Sequence, residues 1–140
     1  MSKPRIAVII GSIRPNRFGD KPAQWILEHA KARGDIEVEL VDLKDYDLPL
    51  FDAPASDLWM PTPNPIAAQW QEKLNSFDGF IVVTAEYNRS VPGVLKNAID
   101  IASRPYGQSA FAGKPAAVCG TSIGSIGTAL AQQQLRGVLS

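Results

Sequence analysis

The stretch FDGFIVVTAEYNRSVPGVLKNAID, Phe77 to Asp100, decides the fold. Its first part is a continuous apolar, β-branched run, the pattern of a strand covered on both faces. It leaves that strand through a polar, aromatic turn and enters a helix at once. Val94, Leu95, Ala98, Ile99 and Ala102 form a stripe at helical spacing, so a helix is expected from about Val91. Ser90 is the expected N-cap, with Pro92 in the first turn. A doubly covered strand followed directly by a helix is the repeating unit of a parallel sheet.

The same unit recurs to either side. RIAVII (Arg5–Ile10) reads as a second central strand, and a helix is expected over about Pro22–Ala32, with Gly34 at its stop. IEVELVDL sets Ile36, Val38 and Leu40 against Glu37 and Glu39, so this strand has one wet side and belongs near an edge. PIAAQWQEKLNSF reads as a helix, KPAAVCG as a strand and IGTALAQQQLRGVLS as a last helix. Strictly alternating strands and helices imply right-handed crossovers and one parallel sheet with helices on both faces. With no internal repeat or linker, residues 1–140 are expected to form one domain. Between Leu43 and Pro65 lie five prolines together with Phe51, Trp59 and Met60, a loop too long and apolar to be an idle connector. Its part from Leu48 to Pro65 is expected to cover a site or meet a partner chain.

Composition narrows the function classes. Fourteen basic and fourteen acidic side chains cancel, so no whole-molecule field gathers nucleic acid or anionic lipid, and any anion site must be local. No apolar run is long enough to span a bilayer and the start carries no signal-peptide pattern, so a cytoplasmic address is expected. The single cysteine, Cys119, excludes an internal disulfide and reads as a buried strand residue. One histidine, His29, builds neither a zinc site nor a Ser-His-Asp set, and reads as a solvated helix residue. Trp25, Trp59 and Trp70 read as core or interface residues.

Ligands of open parallel sheets sit at the carboxyl ends of the strands, so the turns after strands one, three and four carry the candidate site. The first, GSIRPNRFGD (Gly11–Asp20), offers a glycine that admits close approach, the Ser12 hydroxyl, the Asn16 amide, the Arg14 and Arg17 guanidinium groups and a helix start. These are the parts of an anion cradle. Ile13 and Asn16 occupy positions where a dinucleotide fingerprint needs glycine, and no Gly-Lys-Ser/Thr ending is present. The cradle therefore suits a terminal monophosphate. In the turn after strand three, Tyr87 supplies an aromatic flank and Asn88 a two-way hydrogen-bonding group for a flat heterocycle.

GSIRPNR, TAEYNRSVPGVLKNAID and GTSIGSIGTALAQQQLR, in this order, resemble the NADPH-dependent FMN reductase family, a flavodoxin-like group that includes quinone, azo-dye and chromate reductases. The middle motif is the most specific. The resemblance implies a flavodoxin-like three-layer α/β sandwich with strand order 2-1-3-4 here. The family's fifth strand and last helix would lie beyond Ser140, leaving strand four with an open edge. It implies FMN as cofactor and NADPH or NADH as co-substrate. Gly11, Ser12, Arg14 and Asn16 would hold the phosphate, with Arg17 and Phe18 beside them where the family often has a serine. Ala85, Glu86, Tyr87 and Asn88 would border the ring, Ala85 standing where the family usually has proline. Ser122 and Gly124 would meet the other ring edge. No side-chain acid or base is assigned a catalytic role. The resemblance further implies a homodimer or homotetramer acting on a small-molecule acceptor. Two alternatives stay open on the residues alone: a one-electron carrier of the flavodoxin type, and a flavin-free interaction protein.

Overall fold

The two apolar runs lie at the centre of a four-stranded sheet. The computed structural model describes residues 2–140. Its elements are β1 (Arg5–Ile10), α1 (Asp20–Arg33), β2 (Glu37–Asp42), α2 (Pro65–Asn75), β3 (Gly79–Ala85), α3 (Gly93–Ala102), β4 (Ala116–Thr121) and α4 (Ala129–Leu139). The strand order is β2-β1-β3-β4, every pairing is parallel, and Val8 faces Leu40 on one side and Ile81 on the other. The half-polar β2 is an edge strand, as its alternating pattern predicts. β4 has a neighbour on one side only among the described residues.

Successive residues of β1 serve opposite faces. Ala7 and Ile9 join the larger core with Trp70 and Leu74 of α2, Leu95 and Ile99 of α3, and Leu135 of α4. Val8 and Ile10 join the smaller core with Ala23 of α1, against which Cys119 is partly buried. This is a three-layer α/β arrangement of the flavodoxin type. Burial pushes the Cys119 thiol pKa upward, as for a strand residue rather than a nucleophile.

Trp70 is the core tryptophan, 1% exposed, and its indole N–H donates to the Ala98 carbonyl at 2.9 Å. The other two lie at the surface. Trp25 stacks on His29 and Trp59 packs edge-on against Tyr106. The helical stripe of α1 is carried by Ala23, Leu27 and Ala30, so Trp25 falls on the solvent side. His29 is exposed, with Nδ1 2.8 Å from the Trp25 carbonyl. Gly34 ends α1 with φ of 75°, a left-handed conformation that glycine adopts freely. α2 is capped by Asn64, whose side-chain oxygen accepts from the amides of Ile66 and Ala67.

Candidate functional site

Because all strands run parallel, the turns after β1, β3 and β4 emerge along one edge of the sheet. The Gly11 amide donates to the Val83 carbonyl at 2.9 Å, carrying the β1–β3 ladder one residue past the strand end. A Cβ at Gly11 would lie 2.8 Å from a Leu95 methyl and 3.2 Å from the Val83 oxygen, so only glycine brings the backbone this close. Ser12 follows, 4% exposed, its hydroxyl 2.6 Å from the Tyr87 hydroxyl. That bond joins the first and third turns across 75 residues of sequence. The Arg14 amide donates to Ser12 Oγ at 3.3 Å, and the Arg14 guanidinium lies 5.7 Å from the Tyr87 ring centroid. Arg14 is exposed and forms no ion pair among the described residues, so its charge remains available to a ligand. Asn16 takes φ of 55°, a left-handed position that asparagine tolerates.

Arg17 faces the other way. Its guanidinium grips both oxygens of Asp42 at the end of β2, donates from Nε to Asp20 at 2.6 Å, and donates to the Ser12 carbonyl. Its side chain is 6% exposed. The hydrogen bond to Asp42 raises the Arg17 pKa more than burial lowers it. For Asp42, burial pushes the carboxyl pKa up, but Arg17 and the Lys44 amide outweigh it and hold the group below its usual range. Arg17 thus braces the cradle from behind instead of contributing a free cation to its mouth. Phe18 is exposed, with the Lys21 ammonium 5.2 Å over its ring.

In the third turn, the Tyr87 amide donates to the Ser90 carbonyl at 2.9 Å and the Ser90 amide returns to Tyr87 at 3.1 Å. Asn88 and Arg89 take φ of 53° and 65° between them, the two positive values of a type I′ reversal. The expected Ser90 cap is corrected here. α3 begins at Gly93 with Pro92 in the capping position, and the Ser90 hydroxyl donates instead to the Gln134 side chain of α4. The reversal turns Ser90 away from the first amides of α3. Gln134 also donates to the Arg89 carbonyl at 3.3 Å.

Glu86 accepts from the Ala131 amide in the first turn of α4 at 3.1 Å. It supplies the cap that Thr128 does not, since the Thr128 hydroxyl donates to the Gly127 carbonyl. A carboxylate on free amides at a helix start is favourable by hydrogen bonding and by the helix dipole. Glu86→Ala is expected to cost about 1 kcal/mol locally, seen as roughly fivefold faster hydrogen exchange at the Ala131 amide. Unchanged exchange there would show that the contact carries no weight.

The fourth turn is exposed, including Ser122 and Gly124, with Ser122 Oγ accepting from the Gly124 amide at 3.1 Å. Ile123 and Ile126 project into solvent beside it. α4 starts at Ala129, later than the pattern predicts, because the fully buried Thr128 sits at φ of 67°. Thr128 packs on Gly120, where a Cβ would lie 2.5 Å from the Thr128 hydroxyl. Ala85 closes β3 opposite Thr121. The structure therefore brings Gly11, Ser12, Arg14 and Tyr87 together, and directs Arg17 and Glu86 into the scaffold. Sequence reasoning missed Asp42, Thr128 and Gln134. Only Asp42, an acid closing a strand next to the cradle, carried a readable signal.

Residues 4–140 match the family profile of NADPH-dependent FMN reductases. A 2-hydroxy-1,4-benzoquinone reductase of a Burkholderia species is 45% identical over 134 residues, 96% of this chain and 69% of that protein. A quinone reductase of Pseudomonas putida is 41% identical over 122 residues, 87% of this chain and 62% of that protein. Among solved structures, FerB of Paracoccus denitrificans, a flavoenzyme NAD(P)H:(acceptor) oxidoreductase, superposes with a TM-score of 0.81 at 40% identity, covering 97% of this chain and 70% of that one. The chain spans about two thirds of the length of these relatives. With three turns meeting at one sheet edge and a match running nearly end to end, this chain belongs to the NADPH-dependent FMN reductase family.

Proposed function

We propose that this chain binds FMN at the shared edge of its turns and serves an NAD(P)H oxidoreductase whose acceptor is a quinone or a similar small molecule. The observation that carries the reading is the Ser12–Tyr87 contact at 2.6 Å, which joins the phosphate turn to the ring turn. The residues present fit the group. Gly11 lets the start of the turn lie close against Leu95 and the Val83 carbonyl, Arg14 offers a guanidinium without an ion pair among the described residues, and the exposed Ile123 and Ile126 offer apolar surface for a flat ring. Bound FMN would supply the hydride and electron chemistry, which no side chain here can perform.

The chain's own residues bind and orient. Ser12 and Arg14 hold the phosphate, with Asn16 shaping the turn. Arg17 keeps the Ser12 carbonyl and the end of β2 in register, so the cradle need not reorganise when a dianion arrives. Asn88, Ser122 and Gly124 would present hydrogen-bonding groups to the ring rim. Glu86 and Gln134 tie those two turns through α4, which limits their relative motion. The names of the relatives support a quinone-type acceptor. We extend the reading to a cytoplasmic address, supported by the lone free Cys119, and to a homo-oligomer, which the family resemblance implies. No helix among the described residues is long and apolar enough to cross a membrane.

The test is direct. The purified chain, reconstituted with FMN, should be yellow, should oxidise NAD(P)H in the presence of a quinone without an added reductase, and should scatter as a multiple of 15.1 kDa. Arg14→Ala should weaken FMN binding about tenfold or more, the scale of one charge-assisted contact to phosphate. A chain that takes up no FMN, or binds it equally well without Arg14, would sink the reading.

A further inference from the structure

Ser12 carries a hydroxyl that its surroundings leave partly unused. The residue is 4% exposed, so water has little access to it. An aliphatic hydroxyl has one hydrogen to donate and two lone pairs that accept. Ser12 Oγ has two partners among the described residues, the Arg14 amide at 3.3 Å and the Tyr87 hydroxyl at 2.6 Å. The amide can only donate. What the Ser12 hydrogen does therefore depends on which way the second bond runs.

Chemistry sets that direction. A phenol donates more strongly than an aliphatic hydroxyl and accepts less well, because its oxygen lone pair is delocalised into the ring. The Arg14 guanidinium, 5.7 Å from the ring centroid, draws electron density the same way and favours the donor role further. The phenol is also held in place, since the two backbone hydrogen bonds between Tyr87 and Ser90, at 2.9 and 3.1 Å, close the reversal that begins at Tyr87. With Tyr87 donating, both lone pairs of Ser12 Oγ are filled. Its single hydrogen then has no acceptor among the described residues, and a buried donor without a partner is costly. An anion in the cradle supplies the missing acceptor.

The geometry points to Tyr87 as a positioning residue for phosphate: its phenol donates to Ser12 Oγ and thereby commits the Ser12 hydrogen to the FMN phosphate. This inference rests on the FMN reading above and adds a source of selectivity to it. Riboflavin, the same ring without the phosphate, leaves the Ser12 hydrogen unpaired. A site built to hydrogen-bond a group rejects the analogue that lacks it. Tyr87, an aromatic flank for the ring on its sequence, thus also acts at the opposite end of the ligand, through Ser12.

The experiment compares FMN with riboflavin. Binding of each to the full chain is followed by quenching of flavin fluorescence, with the phosphorus NMR signal of bound FMN as a second readout. Tyr87→Phe keeps the ring and removes only the phenol oxygen. It is expected to lower FMN affinity about fivefold, to leave riboflavin affinity within about twofold, and to move the phosphorus signal. Ser12→Ala should lower FMN affinity about tenfold, and in that background Tyr87→Phe should add nothing, as for two groups acting in series. FMN affinity unchanged or raised in Tyr87→Phe is the result expected if Ser12 donates to Tyr87, and it would overturn the assignment. An equal loss for riboflavin, a phosphorus signal that stays in place, or additive losses in the double variant would overturn it too, while leaving FMN binding itself intact. A native chain that takes up neither flavin would remove the FMN reading and this inference with it.

Discussion

Trp70→Ala is expected to lower the unfolding free energy by about 3–5 kcal/mol, a large share of what a domain of this size possesses. Trp70 is fully enclosed in the larger core, its ring packs edge-on against Tyr46 with centroids 4.9 Å apart, and its N–H satisfies the Ala98 carbonyl. Truncation removes the transfer energy of a large ring and leaves a cavity between α2 and α3 that rigid helices cannot close. Trp70→Phe keeps most of the packing and loses the hydrogen bond, so a smaller cost of about 1–2 kcal/mol is expected. Urea unfolding at unchanged m-value reads both. A loss below about 1.5 kcal/mol for the alanine variant would contradict this packing account. The effect should reach function, because α3 carries the turn at Tyr87–Ser90 on its leading end.

The second large effect is at Arg17. Arg17→Met leaves Asp42 partly buried without its counter-charge. Breaking a fully buried pair costs about 3–5 kcal/mol, and with the Asp42 side chain 20% exposed the expected loss at neutral pH is about 2–3 kcal/mol. The pH dependence identifies the cause. Asp42 has a folded-state pKa held below its usual value of 3.8. Its contribution is therefore fully present above the usual aspartate range and is lost as pH falls through the lowered folded value. In the variant Arg17's share of that lowering is gone while burial and the Lys44 amide remain, so the gap between the two proteins should narrow as pH falls from the variant's higher Asp42 pKa toward the lowered native value. A gap that stays constant from neutral to acid pH would mean that Arg17 acts through packing alone. Because Arg17 also holds the Ser12 carbonyl, FMN affinity should fall as well, by about tenfold, although Arg17 faces away from the ligand.

The candidate site was partly legible in the chain. Gly11, Ser12 and Arg14 stand after an apolar strand, and a glycine, a hydroxyl and a guanidinium at that place are the parts of the proposed anion cradle. Tyr87 and Asn88 were legible for a similar reason, in a turn trapped between a strand and a helix. Arg17 and Glu86 were not, because each is decided by a partner far along the chain. Arg17 meets Asp42, 25 residues on, and Glu86 meets Ala131, 45 residues on. Ser90 failed as a cap for the same reason, since Gln134 of α4 offers its hydroxyl another acceptor.

The succession of parallel strands, the edge position of β2 and the two-faced burial of β1 and β3 follow from local apolar patterning, because a strand covered on both faces reads as a continuous apolar run and one with a wet side as an alternation. Which charged groups brace the scaffold and which face a ligand are matters of long-range contact. Periodicity carries no information about them, since a salt bridge or a cap depends on where two distant segments come to rest.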